Sequence, residues 1–170
     1  MQTRIMKTIA QQLNIKEFPF DIKDKNGKEI YIEHSNGYWY KKEFDSNGNR
    51  IFYENSTGYW HKQEFDSNKN RIYFEDSHGS SYKCEYDLNR NRTYYENSNK
   101  YWDKQEFDSN GNRIYFEDSE GYWTKREFDS NGDEIYYENS QGLILNNRPK
   151  QSCEGKIVEI DGKKYKLTSL

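Results

Sequence analysis

Glutamates recur along this 170-residue chain at a fixed spacing. Paired carboxylates are the first groups to weigh for acid–base chemistry. Glu33, Glu54, Glu75, Glu96, Glu117 and Glu138 stand 21 residues apart, as do Glu43, Glu64, Glu85, Glu106 and Glu127. General acid–base catalysis needs a pocket that drives two carboxyl pKa values apart. A column repeated along a thin sheet points instead to cross-strand pairing. His34, His61 and His78 fall at non-equivalent places, are expected at the surface, and lack metal-ligand spacing. Cys84 stands where other units carry Lys42, Gln63, Gln105 and Arg126, and Cys153 is remote and unpatterned, so neither a disulfide framework nor a zinc site is expected. The run Asp45-Ser46-Asn47-Gly48-Asn49 resembles a calcium loop only loosely, because its glycine comes early and the bidentate Glu at the twelfth place is missing. No catalytic residue, metal ligand or cofactor is assigned, and a non-enzymatic protein is expected.

Binding chemistry is better represented. Aromatic residues make up 17% of the chain, with 16 Tyr, 9 Phe and 4 Trp. Trp39, Trp60, Trp102 and Trp123 recur in register, and such residues are enriched at binding hot spots. The position before the fixed lysine varies freely, as Tyr40, His61, Tyr82, Asp103 and Thr124, whereas Lys at 41, 62, 83, 104 and 125 never changes. Constant positions read as scaffold and varied ones as contacts. The candidate partner-binding set is therefore Trp39, Trp60, Trp102 and Trp123 with Tyr40, His61, Tyr82 and Asp103, joined by Glu54, Glu75, Glu96 and Glu117.

The elements that must position these residues follow from the 21-residue period. Units begin at Asp24, Asp45, Asp66, Asp87, Asp108 and Asp129 and reach Gly142, roughly 70% of the chain. Each holds two short strands, such as Arg50–Glu54 and Tyr59–Phe65, separated by Asn-Ser-x-Gly and Asp-Ser-Asn-Gly-Asn turns. Asn26-Gly27, Asn47-Gly48, Asn110-Gly111 and Asn131-Gly132 predict two-residue type I′ hairpins with both residues at φ > 0. Lys69 and Arg90 replace that glycine, at a cost on the order of 1 kcal/mol each. Centring the turn on Asn47-Gly48 sets Ser46 against Asn49, Lys41 against Glu54 and Phe44 against Ile51. One face then collects Trp39, Lys41, Glu43, Arg50, Phe52 and Glu54. The other takes Tyr38, Tyr40, Lys42, Phe44, Ile51, Tyr53 and Asn55. The expected fold is all-β: an extended antiparallel, solenoid-like sheet of about six repeated hairpins, its twelve strands spanning about 55 Å. Units three and four are irregular, with Ser80-Ser81 for the aromatic pair, Thr93 for Ile and Lys100 for Gly.

Three segments are expected: an N-terminal helical cap over 1–20, the array over 21–142, and a C-terminal hairpin cap over 143–170. Met6, Ile9 and Leu13 carry the helical spacing over Thr3–Leu13, and Asp161-Gly162 carries the last turn. Net charge is +2, −8 and +3 over those segments, which disfavours direct nucleic-acid binding by the array. A mean hydropathy of -1.36 and the lack of a long apolar run predict no membrane span or signal peptide, and a cytoplasmic protein.

The run from Phe44 through Asp45 and Gly48 to Arg50 resembles the YD repeats of Rhs-type proteins. Strands reading Tyr-Tyr-Glu-Asn-Ser-x-Gly are also similar to short MORN-type repeats of bacterial antitoxin-like proteins. The stretch Trp60–Asn68 is similar to choline- and glucan-binding cell-wall repeats. Small tyrosine-rich repeat proteins of this kind occur in phage genomes. Rhs chains are much longer, and cell-wall repeats follow a secretion signal. These resemblances imply a β-hairpin repeat, and the aromatic stripe with its varied positions makes an interaction module with a protein partner the leading expectation. Two alternatives accompany that reading. One is a phage-encoded, anti-CRISPR-like inhibitor acting in the host cytoplasm, whose acidic columns mimic nucleic acid and bind a basic nucleic-acid enzyme. The other is a carbohydrate-binding array. An exposed aromatic face also makes a homodimer an expectation.

Overall fold

Turn chemistry sets the architecture. In the computed structural model, which describes residues 7–149 and 155–168, both turns of the unit share one geometry. Gly48 N–H donates to the Asp45 carbonyl and Asp45 N–H to the Asn49 carbonyl; Gly58, Asn55 and Tyr59 repeat the pattern. The leading Asp or Asn is saturated locally, Asp45 Oδ1 accepting from the N–H groups of Asn47 (2.9 Å) and Asn49 (2.8 Å). Only the fourth residue is left-handed, Gly48 at φ 83°. This is a type I turn closed by a left-handed glycine, not the two-residue type I′ hairpin expected from Asn-Gly. Asp161 (φ 51°) and Gly162 (φ 74°) do carry the paired positive angles of a type I′ turn.

The short helix α1 (Ile9–Leu13) precedes thirteen strands. They are β1 (Phe20–Lys23), β2 (Glu29–Glu33), β3 (Trp39–Phe44), β4 (Arg50–Asn55), β5 (Trp60–Phe65), β6 (Arg71–Asp76) and β7 (Ser81–Tyr86), followed by β8 (Arg92–Asn97), β9 (Trp102–Phe107), β10 (Arg113–Asp118), β11 (Trp123–Phe128), β12 (Glu134–Asn139) and β13 (Ile144–Asn146). Every strand pairs antiparallel with its sequence neighbours, giving one 13-stranded sheet in chain order. The all-β hairpin array is thus as expected, with partial units adding strands at both margins. The hairpin β14 (Ile157–Ile160) and β15 (Lys163–Lys166) forms its own two-stranded sheet. Ile157 and Ile160 there are exposed, and among the described residues no register pair joins it to β13.

Lys41 faces Glu54 as expected, but Phe44 pairs with Arg50 rather than Ile51, because Ile51 is an extra residue at a bulge. The same irregularity recurs in β5–β6, β7–β8, β9–β10 and β11–β12. A bulge re-aims side chains. Arg50 accordingly lies over the Tyr53 ring at 5.3 Å, on the face opposite Trp39, where the unbroken register had put it with Trp39.

At the N-terminal end, α1 begins with a capping box between Thr8 and Gln11. It is fastened to Glu33, which accepts from the Ala10 N–H (3.1 Å) and the Tyr31 hydroxyl (2.8 Å) and also bonds Thr8. Glu33 is 3% exposed. Burial opposes its ionisation, yet the bonds from Thr8, Tyr31 and Ala10 outweigh that and hold the carboxyl below its usual range. Burial, then the carboxylate of Glu33, pushes the Tyr31 hydroxyl up to about 12. Met6, placed in the expected helix, lies outside the described residues.

Candidate partner interface

A sheet one layer thick has two faces, and their chemistry differs. On the first, constant residues align in diagonal rows crossing five strands, such as Glu64–Tyr73–Lys83–Glu96–Trp102. The row Glu85–Tyr94–Lys104–Glu117–Trp123 repeats it one unit on. The invariant lysine therefore sits between an aromatic ring and a carboxylate. Lys41 bonds Glu54 at 2.9 Å and lies 5.0 Å from the Phe52 ring. Lys62, Lys104 and Lys125 lie 5.4, 5.3 and 5.1 Å from the rings of Trp60, Trp102 and Trp123. Tyr73, Tyr94, Tyr115 and Tyr136 donate hydroxyls to Glu75, Glu96, Glu117 and Glu138. Each such pair contributes up to about 1 kcal/mol. Trp39, Trp60, Trp102 and Trp123 are half-buried on this face, beside Glu54, Glu75, Glu96 and Glu117.

The row system needs an ending. At β13 the lysine position is taken by Asn146, opposite Tyr136. Arg148 supplies the missing cation, 3.7 Å from the Tyr136 ring and bonded through Nε (2.7 Å) and a second guanidinium nitrogen to Glu127. The bond from Arg148 holds the Glu127 carboxyl below its usual range.

The second face is a ladder of rings. Tyr40, Tyr53, His61, Phe74, Tyr82 and Tyr95 follow one another with centroid separations of 5.3 to 5.9 Å. Arg50, Arg71, Arg92 and Arg113 lie over Tyr53, Phe74, Tyr95 and Phe116 at 4.8–5.3 Å. Such contacts bury the arginine stem as well as its charge. Asp103 interrupts the ladder. It is 3% exposed, accepts from Arg92 at 3.0 Å and receives the Gln105 amide at 2.8 Å. Cys84 is buried here, and burial pushes its thiol up, away from nucleophile behaviour.

The expected site is thus divided. Its tryptophans and glutamates share one face, while Tyr40, His61, Tyr82 and Asp103 belong to the other. The varied position is also among the least exposed in the unit: His61, Asp103 and Thr124 are at 8%, 3% and 3%. His61 was expected at the surface but is stacked between Tyr53 and Phe74, with Nδ1 unpaired. Burial, then the nearby Arg50 and Arg71, lowers its pKa.

Sequence reasoning passed over the serine after each Asn or Asp. Ser56, Ser77, Ser119 and Ser140 each donate N–H to the carbonyl of Trp39, Trp60, Trp102 and Trp123, and each hydroxyl accepts from that Trp N–H at 3.3 Å. Its recurrence every 21 residues was the available signal.

No protein-family model matches the chain, and no curated protein matches it. Among solved structures, a crystal structure of TcdB2-TccC3-TEV is similar with a TM-score of 0.50 at 11% identity, over 73% of this chain and 8% of that one. A crystal structure of TcdB2-TccC3-Cdc42 gives 0.47 at 11% identity over 69% and 7%. The Photorhabdus luminescens Tc holotoxin pore gives 0.43 at 11% over 74% and 9%. The chain spans less than a tenth of the length of these chains. The first likeness bears on the fold alone, and it agrees with a YD-repeat-like β fold.

Proposed function

We propose that this chain is a non-enzymatic repeat module that binds a protein partner through its tryptophan face. One observation carries the reading: four half-buried tryptophans stand in register on one side of a single-layer sheet, beside fixed lysines and glutamates. Large amphipathic rings on a pre-ordered backbone bind at low entropic cost. A nucleic-acid mimic is supported less well, because Lys41 pairs with Glu54 and each full row sets a lysine among its carboxylates, so that charge of one sign is not continuous along the face. A sugar platform would need open ring faces, and lysines cover Trp60, Trp102 and Trp123.

The test replaces Trp60, Trp102 and Trp123 with serine, the residue unit three carries at Ser81. Proteins retained from a lysate by the chain are compared with those retained by the variant and by a ladder-face variant, Arg71→Gln with Arg113→Gln. Loss of a retained protein with the serine variant alone, at unchanged far-UV circular dichroism, is the expected result. Retention that survives the serine changes, or is lost only with the arginine changes, refutes the assignment.

A further inference from the structure

One unit breaks both faces at once. Ser80 and Ser81 stand where the other units carry Tyr-Trp, as in Tyr59-Trp60 and Tyr101-Trp102. On the tryptophan face the omission leaves a cleft of ≈180 Å³ lined by Tyr73, Ser81, Lys83 and Glu96; a second, of ≈420 Å³, opens on the ladder face among Phe74, Ser80, Tyr82 and Tyr95. A cavity of about 150 Å³ admits a benzene-sized ring. Lys83 stands opposite Tyr73 and Glu96 in the strand register, yet among the described residues it is alone of the five invariant lysines in forming neither an ion pair nor a cation–π contact. In three other units that cation lies over the indole two residues before it. The empty place thus has the volume, the rim and the uncapped charge that the sequence elsewhere matches with tryptophan.

We propose that the Ser80–Ser81 gap is a socket for an aromatic side chain of a protein partner, with an indole seated over Lys83. The occupant is named by charge complementarity: an ammonium on an open rim attracts the negative face of a π-system, and tryptophan offers the strongest such face. The socket deepens the interaction-module reading, placing the partner's anchoring ring at the one interruption of the tryptophan series.

The test titrates the isolated chain with N-acetyl-tryptophanamide and follows backbone amide shifts by NMR. Shifts concentrated at Ser80–Lys83 and Tyr94–Ser98 are expected, with N-acetyl-leucinamide producing none there. Ser81→Trp fills the place with the chain's own indole and abolishes the response. Lys83→Met keeps the aliphatic stem, demands no new packing, and weakens binding roughly three-fold. Shifts spread evenly over the units of Trp39, Trp60, Trp102 and Trp123, or a response unchanged in Ser81→Trp or Lys83→Met, overturn the proposal. The titration uses no partner, so its failure removes the socket and leaves the module reading to the retention experiment.

Discussion

Replacing Lys69, Arg90 and Lys100 together by glycine is expected to stabilise the array. These residues occupy the left-handed turn position at φ 66°, 68° and 68°, where the regular turns of the sheet place glycine at 80–88°. A Cβ in that conformation costs about 1–2 kcal/mol. Glycine gives back about 0.4–1 kcal/mol through the greater freedom of the unfolded chain. The difference is about 0.5 kcal/mol per site, and because the three lie in separate turns the effects add to about 1.5 kcal/mol. For a chain of this size that raises Tm by roughly 3–6 °C. Thermal unfolding followed by near-UV circular dichroism reads the tyrosines directly, and a urea titration checks that the slope m is unchanged. A triple variant no more stable than the parent would refute the reasoning. It would mean that the side chains recover the left-handed cost elsewhere, as Arg90 could through the charge of Asp66.

The ladder histidine makes a pH-dependent expectation. The folded His61 pKa lies below its unfolded value, so its stabilising contribution is complete above about 6.5 and is lost as pH falls through that value towards the folded pKa. His61→Tyr, which restores the residue present at Tyr40 and Tyr82, should flatten the dependence of Tm between about pH 7 and 5. Glu33→Ala removes the acceptor for Thr8, Ala10 and Tyr31 and should cost about 3 kcal/mol, with urea denaturation as the measure and faster amide exchange over α1 as the local sign. Asp45, Asp87 and Asp108 have carboxyls held low first by the side chains of Asn49, Asn91 and Asn112, four residues on; at Asp66 burial opposes a similar set of bonds and is outweighed. Their stabilising effect is present above about pH 4 and falls away below it, so the urea midpoint should drop between about pH 4 and 2, less so in Asp45→Asn with Asp87→Asn.

The period of the repeat made the strands, their order and the Lys41–Glu54 register legible, because turn residues and invariant charges recur together. What it concealed was local. Asn47-Gly48 is compatible with two turn geometries, and the deciding residue is Asp45, whose carboxylate gathers the turn N–H groups and suits the first place of a type I turn closed by glycine at the fourth. That choice adds a residue at Ile51 and moves Arg50 across the sheet, which alternation alone could not show. His61 was misplaced for a different reason. Variation within a column reads as exposure when a surface is assumed to be the place of tolerance, yet a ladder of rings accepts Tyr or His by stacking and Asp by pairing with an arginine already in place. Arg92 keeps its position over Tyr95 and bonds Asp103.

The described residues give the sheet thirteen antiparallel strands, an odd number, and both of its margins, β1 and β13, therefore run in the same direction. Copies related by simple translation would meet at a parallel seam, foreign to the alternation that every turn in the chain enforces. With each face kept on its own side, an antiparallel seam arises only when a copy is turned end for end about a two-fold axis normal to the sheet, joining β13 to β13 or β1 to β1. The parity of the strand count thus works against head-to-tail stacking. Unlimited growth by edge pairing in the sheet's own pattern would need both like-to-like seams in alternation, and closing off either margin limits it to a pair.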